Sequence, residues 1–173
     1  MSQPTPEAAS EVEDIRRVVA AYVAAGADES VQRVITAVNR LSRRLTRWYD
    51  RQLAALGINS GEWIVLEQLA RTTGDEPLTP SRLAAVSNIA PSSMTHRLDR
   101  LAARGLIDRE ADPTNRTRIL VRLTDAGYEI YAKAIRGADL VESDLLASLN
   151  AEQVDELGEL LEHVIAGLED AHL

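Results

Sequence analysis

Pro80 and Pro91 constrain this chain more than any other pair of residues. Thr79-Pro80 reads as an N-cap followed by proline at the first helical position, where its fixed φ suits a helix and its missing N–H is not needed. The helix it opens is brief, Ser81-Arg82-Leu83-Ala84-Ala85-Val86, because Ser87-Asn88-Ile89-Ala90 then turns the chain. Pro91 starts a second helix that runs through Arg104 and stops at Gly105. A short helix, a tight turn and a longer helix make a helix-turn-helix unit.

The two segments on the C-terminal side of that unit narrow the choice further. Leu106-Ile107-Asp108-Arg109-Glu110 and Arg118-Ile119-Leu120-Val121-Arg122-Leu123 are short and partly alternating, and the second is rich in β-branched residues. The connector Ala111-Asp112-Pro113-Thr114-Asn115-Arg116-Thr117 is rich in turn formers, so the two segments read as a β-hairpin with a long tip. The remainder is helical by periodicity. Val12, Ile15, Val18, Val19, Tyr22 and Val23 share one face of a helix that Ser10 and Glu13 would cap. Val31, Val34, Ile35, Val38, Leu41, Leu45, Trp48, Tyr49 and Leu53 mark a longer helix ended by Gly57. Asn59 with Glu62, and Asn150 with Gln153, form capping boxes of two more, and Thr124 caps a helix through about Leu146.

The expected architecture is therefore mostly α with a small β-hairpin wing, an α+β class. Residues 1–9 read as a disordered tail, 10–57 as N-terminal helices, 58–123 as the helix-turn-helix and hairpin lobe, and 124–173 as C-terminal helices. The long helix before Gly57 and the last helix carry broader apolar stripes than one small lobe needs to cover.

The second helix of the unit holds the residues with chemistry to offer. Ser92, Ser93, Thr95, His96, Arg97 and Arg100 can all donate hydrogen bonds to base edges or phosphates, and no acidic residue stands in the first two turns. Met94, Leu98 and Leu101 mark the opposite, core-facing side. Taken singly, the serines could merely start a helix and Arg97 and Arg100 could pair with Asp99; their joint placement argues for double-stranded DNA. Asn115, Arg116 and Arg118 place a second donor group at the hairpin tip and base, within reach of a groove or backbone. Net charge is −8, which by itself opposes a nucleic-acid partner. Its distribution does not: residues 80–125 hold eight Arg against five acids, while residues 126–173 hold two basic and eleven acidic residues.

Other classes find little support. Without cysteine there is no disulfide, thiol nucleophile or Cys-ligated zinc. The histidines at 96, 163 and 172 are scattered, so neither a metal site nor a cofactor is expected. No nucleotide-binding loop, Gly-x-Ser-x-Gly elbow or zinc-protease helix is present, which argues against an enzyme. No apolar run approaches a membrane span and the N-terminus lacks a signal-peptide pattern, so a cytoplasmic chain with no membrane partner is expected.

Leu78-Thr79-Pro80, Pro91-Ser92-Ser93-Met94-Thr95-His96-Arg97-Leu98-Asp99-Arg100-Leu101, Gly105-Leu106-Ile107-Asp108-Arg109, Asp112-Pro113-Thr114-Asn115-Arg116 and Leu123-Thr124-Asp125-Ala126-Gly127 closely resemble the MarR family of winged helix-turn-helix transcription regulators. The resemblance spans roughly residues 28–170. It implies a homodimer held by interleaved N- and C-terminal helices, a repressor's binding to a pseudo-palindromic operator, and release by a small aromatic or anionic effector. Trp48, Tyr49, Arg51 and Trp63 fall in the general region where such effectors bind, and core packing is the competing reading for the aromatics. The family commonly has Asp where this chain has Asn115, so a charged clamp at the wing tip is replaced by neutral hydrogen bonds. A winged module that binds protein rather than DNA is the alternative function.

Overall fold

A computed structural model describes residues 6–72, 78–115 and 117–170. Seven helices and one hairpin are arranged in the order α1 (Pro6–Ala24), α2 (Glu29–Ala55), α3 (Ser60–Arg71), α4 (Pro80–Val86), α5 (Pro91–Ala103), β1 (Ile107–Ala111), β2 (Ile119–Leu123), α6 (Asp125–Leu146) and α7 (Ala151–Asp170). They fall into two compact units, residues 1–55 and 56–173.

The first unit is an antiparallel helix pair. Gly26 takes φ +97° at the turn, and Asp28 accepts hydrogen bonds from the Ser30 hydroxyl and the Val31 N–H to start α2. Asp14 lies 3.3 Å from Arg40, and Glu11 pairs with Arg44 across the two helices. Helix α1 begins at Pro6, upstream of the expected cap at Ser10, so Ser10 and Glu13 lie inside it. Proline at the first helical position is a start signal in its own right. The part of the expected tail before Pro6 lies outside the described residues.

The second unit holds the core: Ile58, Val65, Leu66, Leu83, Met94, Leu98, Leu101, Leu106, Ile107, Leu120 and Val121 are buried. Helix α3 sits centrally, against α5, β2 and α6. The local start signals hold. Asn59 and Glu62 cap α3 reciprocally, at 2.9 and 3.0 Å. Thr79 accepts from the Arg82 N–H with Pro80 behind it, and Thr124 accepts from the Gly127 N–H. Strands β1 and β2 are antiparallel with Arg109 opposite Val121, and Leu78 adds a bridge to Val121. Each strand starts one residue later than expected, leaving Leu106 and Arg118 as flanks, and β1 runs one residue further, taking Ala111 from the expected connector. Helix α6, grouped with the C-terminal helices on sequence, packs on α3 of the lobe.

Several described helices leave apolar side chains in solvent, α2 and α7 in the longest rows. On α2 they are Val31, Val34, Ile35, Val38 and Leu41, each more than two-fifths exposed. On α7 they are Leu157, Leu160, Leu161, Val164, Ile165 and Leu168. No described helix is long and apolar enough to cross a membrane.

Candidate nucleic-acid interface

Helix α5 has a buried side and an exposed one. Met94, Leu98 and Leu101 are at most 1% exposed and fix it to the core. Ser92, Ser93, Thr95, His96 and Asp99 are exposed. No side chain caps the N-terminus, where Ala90 stands at the N-cap and Pro91 comes next. The first N–H groups and the positive end of the helix dipole therefore remain available to an anion. Thr95 spends its hydroxyl proton on the Pro91 carbonyl, at 3.0 Å, and the side chain is exposed.

Arg97 and Arg100 stand one helical turn beyond Ser93 and His96 and reach toward α3. Arg97 Nη1 donates to the Gly61 carbonyl at 3.3 Å. Arg100 Nε lies 3.0 Å from Glu62 Oε1, and Arg104 Nη1 donates to the Gly57 carbonyl at 2.6 Å. All three reach the N-terminal end of α3. Asp99 pairs instead with Arg109 of β1, at 2.7 Å.

The wing is held by one carboxylate. Asp112, 7% exposed, accepts from the Thr114 N–H at 2.8 Å, the Thr114 hydroxyl at 2.6 Å and the Asn115 N–H at 3.3 Å. These hydrogen bonds, the Thr114 hydroxyl foremost, and Arg118 at 3.6 Å hold its carboxyl below the ordinary value. Asn115 Oδ1 accepts from the Thr117 N–H and hydroxyl, at 3.2 and 2.7 Å, which occupies the neutral replacement for the expected charge. Arg118 and Asn115 are exposed at the base and tip. Arg116 lies outside the described residues.

The aromatic residues divide between the units. Trp48 and Tyr49 meet edge to face in the first, 5.5 Å apart, and Arg51 donates to the Arg47 carbonyl there. Trp63, in the second, stacks on Tyr131 of α6 at 5.4 Å, and Tyr131 meets Tyr128 at 6.1 Å. Sequence reasoning missed both tyrosines, although their spacing on α6 puts them on one face. It also missed Glu62 and Asp112 as anchors, having read the first only as a cap and the second only as a turn former.

A family model described as the MarR family matches residues 56–116. The multiple antibiotic resistance protein MarR of Escherichia coli is 30% identical over 135 residues, covering 77% of this chain and 89% of that protein. The transcriptional regulator PecS of Dickeya dadantii is 27% identical over 131 residues, covering 76% and 79%. Among solved structures, a mutant of S. aureus MepR bound to an oligodeoxyribonucleotide superposes with a TM-score of 0.62 over 76% of this chain and 95% of that one. At 21% identity that likeness speaks for the fold.

Proposed function

Because the chain belongs to the MarR family of winged-helix transcriptional regulators, we propose that it binds a pseudo-palindromic operator in double-stranded DNA as a homodimer and represses transcription. One observation supports this most: α5 buries Met94, Leu98 and Leu101 while Ser92, Ser93, Thr95 and His96 stand exposed at its uncapped N-terminal end. That end would enter the major groove, its hydroxyls and imidazole reading base edges and its backbone N–H groups meeting phosphate. Asn115, Arg116 and Arg118 of the wing would reach the flanking backbone or minor groove. The apolar rows of α2 and α7 would be covered by a second copy, setting two recognition helices ~34 Å apart along the duplex. A small aromatic or anionic effector would act on this state, with the Trp63–Tyr131–Tyr128 cluster as an aromatic surface within the lobe.

Selection of duplexes from a random library, followed by anisotropy titration across salt, tests the reading. A regulator enriches a two-fold-related sequence, and its log affinity falls with log salt at about −0.9 per neutralised phosphate. No enrichment and a flat salt response would instead favour a winged module that binds protein.

A further inference from the structure

Arg97 and Arg100 of α5, and Arg104 at its C-cap, all reach toward α3. Their contacts are all at the start of α3: the Gly61 carbonyl, the Glu62 carboxylate and the Gly57 carbonyl. Glu62 is 1% exposed, whereas the side chains of Arg100 and Arg104 are 52% and 35% exposed. The acid is fixed; the bases could move. One carboxylate oxygen, Oε2, accepts from the Asn59 N–H in the capping box, with Arg104 Nη1 3.9 Å away. The other, Oε1, has Arg100 Nε 3.0 Å away, but off the line a hydrogen bond needs, so charge rather than directed bonding holds that contact.

Without Glu62, these guanidiniums would face the positive end of the α3 dipole with no negative charge beside it. The nearest relief for partly exposed arginines at a DNA-reading helix is phosphate. Such contacts form at any sequence, so they raise affinity without raising discrimination.

We propose that Glu62 limits sequence-independent DNA affinity by holding Arg100 and Arg104 back from the phosphate backbone. Glu62 is a positioning residue: it acts through the arginines and touches no DNA. The inference rests on the proposed DNA binding.

The test uses the full chain, a fluorescein-labelled duplex enriched by the wild type from a random library, and a base-shuffled counterpart. Glu62→Gln keeps an oxygen that can accept from the Asn59 N–H, so the cap survives while the charge is lost. Binding to the shuffled duplex should tighten about tenfold, and its salt slope should steepen by about one to two as one or two arginines reach phosphate. The enriched duplex should tighten by a similar factor, so the enriched-to-shuffled preference should stay within about twofold. Arg100→Gln in the wild-type background should leave the shuffled-duplex slope unchanged, and in the Glu62→Gln background should bring it back by about one.

Equal weakening on both duplexes in Glu62→Gln, with no steeper slope, would reduce Glu62 to a structural residue and overturn the proposal. So would a slope about one unit shallower in Arg100→Gln alone, since that arginine would already be on phosphate. This second measurement decides the matter even if Glu62→Gln does not fold. Failure of the wild type to enrich any duplex would instead bring down DNA binding itself, and the restraining role of Glu62 with it.

Discussion

Gly127 sits in the first turn of α6 where an added Cβ would lie 2.0 Å from the Leu106 carbonyl oxygen and 2.7 Å from Leu123 Cδ1. The obstacle is backbone, and it cannot step aside. Thr124 ties the same point down twice, donating its N–H to Leu106 and its hydroxyl to Gly105. Gly127→Ala should therefore cost about 3 kcal/mol, at the upper end for overpacking, by urea denaturation; a loss below ~1 kcal/mol would show that α6 can shift. Asp112 makes a pH-dependent case. Its folded carboxyl titrates below the ordinary value, so its stabilisation of the wing is present above the usual carboxylate range and is lost as pH falls through the lowered value. Amide signals of Thr114 and Asn115 should shift together in acid, and Asp112→Asn should abolish that transition in an NMR titration. The sequence shows that residues 111–117 form a turn, since Asp, Pro and Asn announce one. It does not show that Asp112 is the anchor, because that depends on which groups the turn brings back to it.

At the scale of elements, starts and stops were the most legible features. Thr79-Pro80, Pro91, the Asn59–Glu62 box and Thr124 each act through contacts a few residues apart, and each begins a helix where expected. The core stripe of α5 was equally plain, because a period of 3.6 puts Met94, Leu98 and Leu101 on one side. The direction of Arg97 and Arg100 was not, since it depends on where α3 crosses α5. The same holds for Trp63, whose partner Tyr131 stands far along the chain. The exposed side of the helix has a functional consequence of its own. Thr95→Ala should change the preferred base at one position of an enriched duplex, at about 1–2 kcal/mol, with little effect on shuffled DNA. Equal loss on both duplexes would assign Thr95 to phosphate.

At the scale of the whole molecule, the described helices α2 and α7 carry uncovered apolar surface of the kind that marks interaction sites. If a second copy covers it, replacing Val164 and Ile165 on α7 together by Asp should turn a dimer into a monomer in sedimentation velocity. Unchanged sedimentation would place the interface elsewhere. The melting temperature of the wild type should rise with protein concentration, as it does when association stabilises the folded form. The bare rows on α2 and α7 also bear on how long each copy survives in a cell. A newly made chain that has not met another presents greasy helix faces to chaperones and proteases, and small losses of stability already change abundance several-fold. Supply would then depend on the rate at which newborn chains find one another, so a weakly expressed gene would lose proportionally more of its product to turnover than a strongly expressed one.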